Sequence, residues 1–519
     1  MTLLALAMLA AAGEPGPPPA EWPVHGLVQN EDCTNFFYFR RIGAGVDGGA
    51  LVDRYVDTLA DAGVKVLMCN TNARRTNYRS RVWEAFWDGL DPEGPDDQPF
   101  LKPMAPAEVA RYRQMVESMR ALHQQGVDYP ARVAARCRQR GISPWISLRM
   151  NDVHNNDVLD HPFHGRFWVQ NPSFFRQGAT GYFANALDYA HPEVRDLYRR
   201  LIEESLTYDV DGIELDFMRE PHVFSPGQEA AGLPVLTEWL REIRRLVRDT
   251  AAKRGRPVRL GVRVPSRPET ARAYGLDPVG WAQEGLVDLV VPTPRWATLE
   301  FDMPLAQWRR LLQPYRGVML AGGLEILYQP HPGAPRTTVA PEHAFAAAAA
   351  VYAGGADAVY LFNYFQDSSW APETYQKTLR TLGSRQGVAG APRWHALTYR
   401  DITGPDEAYR PPLPATGASL RFDLPVCPPP PPDWQAQLLL EIEAIDGAPL
   451  QPPSARVNGQ VCAASQTDPE SGSPGRVTYP VPVAALAQRE RAQILVTARG
   501  GRPIRVVRVE VRLQPPASS

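Results

Sequence analysis

Residues 186–221 read ALDYAHPEVRDLYRRLIEESLTYDVDGIELDFMREP. His191-Pro192 opens a helix, because proline at the first helical position gives up an N–H that has no intrahelical partner anyway. Apolar spacing carries that helix to about Tyr208. Asp209 to Asp211 makes a tight turn, and Gly212 starts a strand. Side chains two apart on a strand share a face. Glu214 and Asp216 therefore point the same way, into a barrel if the strand belongs to one, with Glu220 further up at the rim. Buried carboxylates are costly unless paired, and Arg149, Arg219 or Arg263 can supply the pairing.

The same strand-then-helix rhythm extends in both directions. Apolar runs at 25–32, 64–72, 143–152, 211–220, 258–266, 287–296, 317–326 and 356–365 read as strands. Between them Leu51–Ala62, Pro106–Gln125, Pro130–Arg140, Pro192–Tyr208, Leu236–Arg254 and Pro341–Ala353 read as helices. Eight strands alternating with helices predict an α/β chain, a (β/α)8 TIM barrel, over 24–385. A doubly wound sheet is the alternative, but no Gly-rich phosphate loop follows the first strand. Residues 386–418 read as a linker with a crossing strand. The short alternating runs of 419–515, broken by Pro, Gly and Asp, predict an all-β sandwich.

Polar residues follow every apolar run of the barrel: Asn30-Glu31-Asp32, Asn70 and Asn72, Arg149, Asn151 and Asp152, Asp216, Arg263, Arg295, Glu325 and Asn363. In a barrel these positions share the C-terminal rim, where active sites are built. Two loops are long, Ala73–Pro103 and His154–Asp188, and both are rich in aromatic residues suited to stacking on sugar rings. Loops of this length in a compact domain are usually functional.

The charge balance excludes some classes. A formal net charge of −2 argues against a nucleic-acid partner, since phosphate-binding proteins carry a basic excess or patch. No apolar run beyond the extreme N-terminus approaches the roughly 18 residues of a membrane span. Residues 1–23 contain a short apolar run, Leu3–Ala12, ending in small residues and a Pro-rich spacer. This resembles an export signal without its positive n-region, so a secreted or periplasmic location is expected. Of the five cysteines, Cys427 and Cys462 fall in the C-terminal region and can pair if the chain is exported. His154, His161, His164 and His222 match no usual metal-ligand spacing. Neither a metal nor a cofactor is expected.

Residues 186–221 resemble the glycosyl-hydrolase-like family 10 barrels and their relatives. The matching residues are Leu187-Asp188, His191-Pro192-Glu193-Val194-Arg195, Tyr208-Asp209-Val210-Asp211-Gly212-Ile213 and Asp216. The resemblance implies a (β/α)8 barrel, action on glycosidic bonds and Asp216 as a functional carboxylate. It leaves Asp216's partner open. The Asp-Gly-Ile-x-x-Asp core is also similar to family 18 chitinases, but Met218 stands where they carry a catalytic Glu.

Glycoside hydrolysis generally needs two carboxyl groups, one protonated. Strands four and seven face each other across the barrel mouth in many retaining glycosidases, so Asp216 is expected as the principal carboxylate, with Glu325 next and Glu220 third. Asn72, Arg149, Asn151, Asp152, Glu214, Arg263, Trp296, Asn363 and Tyr364 are candidate carbohydrate-binding residues. Glu214 also reads as a structural ion-pair partner beneath the site. Arginines 74, 75, 81, 149, 263 and 295 near the mouth point to an anionic sugar. The runner-up reading is a catalytically inactive carbohydrate-binding barrel, and the third is a scaffold whose carboxylates are all paired with arginines.

Overall fold

The computed structural model describes residues 25–445, 451–463, 466–468 and 475–516. The export-signal expectation falls on residues outside these. Strands β1 (Leu27–Glu31), β2 (Val64–Asn70), β3 (Ser143–Arg149), β4 (Gly212–Asp216), β5 (Arg259–Pro265), β6 (Leu289–Thr293) and β7 (Met319–Glu325) are followed by a small hairpin, β8 (Leu327–Tyr328) with β9 (Thr337–Thr338), and then by β10 (Ala358–Phe362). The chain forms a closed parallel barrel in the order β1-β2-β3-β4-β5-β6-β7-β10. Every barrel strand lies inside a segment expected from the sequence.

Helices between the strands open on Pro106, Pro192, Pro341 and Pro372, the position where a missing N–H costs nothing. Their apolar faces pack on the outside of the barrel in one continuous core. The barrel interior is a second cluster that includes Val28, Val66, Met68, Trp145, Leu289, Val291, Met319, Tyr360 and Phe362. Trp145 fills its lower layer. A Cβ on Gly212 would lie 2.6 Å from the Trp145 ring, and one on Gly261 3.2 Å from it. Those two glycines make room for the indole, leaving the upper layers to polar side chains.

After the barrel come β11 (Arg393–Ala396), β12 (Ala415–Gly417), β13 (Ser419–Pro425), β14 (Gln435–Ala444), β15 (Ser454–Val457), β16 (Gln460–Cys462), β17 (Gln466–Asp468), β18 (Gly475–Val481), β19 (Arg491–Thr497) and β20 (Ile504–Gln514). They form two antiparallel sheets, β11-β20-β14-β18-β17 with β12 also on β20, and β13-β19-β15-β16. Alternating side chains of both sheets meet in a separate core. The crossing strand expected within 386–418 is β11, which pairs with β20 and so belongs to the sandwich.

Glu510 on β20 ties the sandwich to the barrel. It is fully buried and accepts from His343 Nε2 at 3.0 Å and Tyr328 Oη at 3.2 Å, both on the barrel side, and from Arg508 Nε at 2.7 Å and Arg512 Nη2 at 2.9 Å. Cys427 and Cys462 are both buried free thiols, so the pairing considered from the sequence is not made.

Candidate active site

Strand register assembles the mouth of the barrel. Asp216 lies beside Arg149 of β3 and Arg263 of β5. Across the barrel, Glu325 of β7 lies beside Phe362 of β10. Neighbours in a parallel register present their side chains to the same face. An Arg-Asp-Arg row therefore meets a Glu-Phe row across the barrel axis.

Three donor groups converge on Asp216. Arg263 Nη1 lies 3.0 Å from both carboxylate oxygens, and Oδ1 accepts from the backbone N–H of Met218 at 2.8 Å and of Arg219 at 3.2 Å. Arg263 is wholly buried, its guanidinium 3.7 Å from the Phe362 ring centroid, and its Nε and Nη2 have no protein partner.

Glu325 sits in a different environment. Its Oε1 accepts from the backbone of Ile326 at 2.9 Å and from Asn363 Nδ2 at 3.3 Å, while buried Oε2 has no partner. Burial pushes this carboxyl up to about 8, against the opposing pull of Arg263. Asn363 holds a left-handed backbone, φ 63°, one that asparagine tolerates better than most residues.

Glu214 lies one layer down. It accepts from Tyr360 Oη at 3.0 Å and is raised above the usual carboxylate range, first by burial and then by Asp216. The two residues do share the inward face, with Glu214 as the floor of the site. Glu220 is not on an open rim: it is 2% exposed and bound through both oxygens by Arg295 at 3.1 Å. Burial nonetheless raises it to about 7.

Other candidate residues act through the backbone. Asn72 gives Nδ2 to the carbonyls of Ala73 and Arg149 and takes the Arg149 N–H. Asn151 clamps Leu187 and the His222 carbonyl. Tyr364 is buried with its hydroxyl on the Glu325 carbonyl. These three were expected to bind sugar; their polar groups are spent on holding strand ends and loops. Trp296, 38% exposed, and Asn363 keep accessible surface at the mouth.

The arginines are also committed. Arg149 bridges Asp152, at 2.8 Å, and Asp32. Arg75 donates to the carbonyls of His164, Ala85 and Asp88, and Arg74 bonds Asn156 and covers the Trp168 ring at 4.0 Å. Arg74 and Arg75 thus staple the two long loops to each other. Arg149, Arg263 and Arg295 answer carboxylates of the chain itself, so these three lend no support to an anionic sugar.

Arg219 and His154 were weighed from the sequence in other roles, and their contact with each other was not legible. Arg219 reaches across the mouth, its guanidinium 5.4 Å from the Phe362 ring centroid and its Nη2 3.0 Å from His154 Nε2. His154 is in turn bonded to Asp152. An Asp-x-His spacing just past a strand end was the available signal. The four histidines weighed as a metal set go separate ways: His164 bonds the carbonyls of Leu159 and His154, His161 accepts from the Phe163 backbone, and His222 stacks on Phe183 at 3.8 Å. Among the described residues no helix is long and apolar enough to cross a membrane.

No family model matches the chain, and no curated protein matches it. The glycosyl-hydrolase-like family 10 resemblance therefore rests on residues 186–221 alone. Solved structures do match. α-L-Fucosidase isoenzyme 2 from Paenibacillus thiaminolyticus is 12% identical over 69% of this chain and 48% of its own, with a TM-score of 0.42. TtGalA, an α-galactosidase from Thermus thermophilus, is 14% identical over 73% of this chain and 64% of its own, TM-score 0.36. An α-L-fucosidase from Vibrio sp. strain EJY3 is 12% identical over 92% of this chain and 88% of its own, TM-score 0.36. The chain spans about half the length of the first and less than two thirds of the second. Likenesses of this order assign neither a family nor an activity.

Proposed function

We propose that this chain is a glycoside hydrolase acting on a poly- or oligosaccharide at the C-terminal mouth of the barrel. One observation carries the reading: two carboxyls on facing strands are driven to opposite roles. Asp216 is ion-paired and takes two backbone N–H groups. Burial pushes Glu325 up to about 8, and one of its oxygens is free of protein partners. Carboxyls whose environments separate them in this way mark acid and charge-bearing roles.

In this reading Glu325 gives its proton to the glycosidic oxygen as the C1–O bond breaks. The negative charge of Asp216 stabilises the positive charge growing at the sugar ring. Arg263 fixes Asp216 and lies near Glu325. Trp296 and Tyr182 are 38% and 53% exposed, with Arg336 over the Trp296 ring at 4.1 Å and Arg295 over the Tyr182 ring at 5.3 Å, which leaves the opposite faces for sugar in this reading. The same proposal extends to a carbohydrate as the partner and to export as the setting.

The test is reducing-end release from dextran, xylan, chitin oligosaccharides, polygalacturonate and chondroitin sulfate by wild type, Asp216→Asn and Glu325→Gln. Hydrolysis of one glycan, lost in both variants, supports the reading. A wild type that binds a glycan without cleaving it replaces it with the inactive carbohydrate-binding barrel, a possibility favoured by the near-complete burial of Asp216 and Glu325.

A further inference from the structure

The hydrolase reading supplies an acid and a charge but no group to activate water, and every carboxyl considered for it is buried. An accessible proton acceptor stands beside them. The Asp152 side chain is fully buried, whereas that of His154 is 38% exposed. His154 Nδ1 lies 2.9 and 3.0 Å from the two Asp152 oxygens, and the His154 backbone N–H bonds Oδ1 at 3.0 Å. Arg149 Nη1 holds the other side of Asp152 at 2.8 Å. Burial opposes ionisation of Asp152, but His154, Arg149 and Arg219 together hold it well below the usual carboxylate range.

The other ring nitrogen defines the tautomer. His154 Nε2 lies 3.0 Å from Arg219 Nη2. A guanidinium only donates, so Nε2 must carry its lone pair and the ring proton must sit on Nδ1, directed at Asp152. The imidazole is thus oriented by a buried carboxylate and presents a basic nitrogen at the mouth. A carboxylate on Nδ1 is the arrangement that fixes a histidine for proton transfer. The charged groups facing it are Asp152 and Arg219, with Arg149 and Asp32 behind Asp152 and Glu220 beside Arg219. Phe163, with ring centroids 6.2 Å apart, covers one side.

We propose that His154 Nε2, positioned by Asp152, is the general base that activates water at this site. The step rests on the hydrolase reading. Water loses a proton to Nε2 as its oxygen bonds C1, the C1–O bond to the leaving sugar breaks, and Glu325 supplies the proton that the leaving oxygen takes. The proton on His154 then returns to Glu325 through solvent, which closes the cycle. Arg219, bonded to Nε2 in the resting state, has to give up that contact to the water. A one-step displacement of this kind inverts the anomeric centre.

On the panel glycan that wild type hydrolyses, His154→Ala is expected to lose about 10²–10⁴-fold in kcat, the usual contribution of general-base catalysis. Added imidazole is expected to restore part of the loss. Proton NMR of the first-formed product is expected to show inversion. Diethyl pyrocarbonate, with peptide mapping, gives a readout independent of turnover: His154, its side chain 38% exposed, should react faster than the buried His161, His164 and His343. Asp152→Asn should slow that reaction, and Arg219→Gln, which frees Nε2, should accelerate it should the Asp152 variant not fold. Hydrolysis unchanged in His154→Ala, retention at the anomeric centre, or an unreactive His154 overturns the inference and leaves the hydrolase reading standing. A wild type that cleaves no glycan overturns both.

Discussion

Glu325→Gln is the substitution whose outcome the structure fixes most closely. A carboxyl raised from 4.5 to about 8 keeps its proton in the folded chain and releases it in the unfolded one between those values. Over that window the unfolded state binds fewer protons, so stability falls as pH rises. At about 1.4 kcal/mol per pKa unit, the penalty is close to zero at pH 4.5, about 3 kcal/mol at pH 7 and about 5 kcal/mol above pH 8. Glutamine has the shape of the protonated acid. Its carbonyl oxygen accepts from the Ile326 and Asn363 groups that now bond Oε1, and its amide stands where the carboxyl proton would be. The variant should match wild type near pH 5 and exceed it increasingly at pH 7 and 9, while losing activity throughout. Urea unfolding at the three pH values, followed by tryptophan fluorescence, measures the gap. A gap that stays constant with pH would refute the claim that Glu325 is buried in its neutral form.

Replacing Arg149 with Met removes the ion-pair partner that buried Asp152 and largely buried Asp32 share, leaving Arg219 and His154 as the nearby basic groups; a cost of up to about 3–5 kcal/mol is expected in the same urea titration. Glu510→Ala removes the acceptor shared by His343, Tyr328, Arg508 and Arg512. Calorimetry should then show the sandwich melting ahead of the barrel, whereas wild type melts with the two coupled. Asn363→Ala keeps a β-carbon in a left-handed backbone but loses the short polar side chain that makes the conformation tolerable, at a cost of up to about 1–2 kcal/mol; Asn363→Gly relieves that strain while still lacking the bond to Glu325, so activity lost in both variants with stability recovered only in the second separates the two roles. Thiol titration in guanidinium should count five reactive cysteines, and a count of three would mean a disulfide.

Much of the architecture was legible because it depends on local rules. Period-two alternation put Glu214 and Asp216 on one face, and the structure keeps both inside the barrel. Prolines at 106, 192 and 341 marked helix starts by their missing N–H. Clusters of Asn, Asp, Glu and Arg after each apolar run marked the C-terminal mouth. The pairing at that mouth was legible only as a set of options. Arg149, Arg219 and Arg263 were equal candidates for Asp216; strand register sets both Arg149 and Arg263 beside it, and because Asp32 and Asp152 take Arg149, Arg263 is the one that pairs.

The residues read as sugar ligands show where this reasoning ran out. Asn72, Asn151 and Tyr364 have the right chemistry at the right strand ends, but whether an amide or hydroxyl faces substrate or a neighbouring carbonyl depends on segments that return from 39 to 77 residues away. Sequence by itself determined the barrel, the sandwich and the carboxyl-bearing mouth, since strand and helix periodicity and proline chemistry act within a few residues. Tertiary structure alone decided which carboxyl is neutral, which arginine answers which acid and that His154 presents a basic nitrogen. Each of those depends on burial and on charges brought together from distant strands, and the electrostatics of a buried group is set by everything around it rather than by its neighbours in the chain.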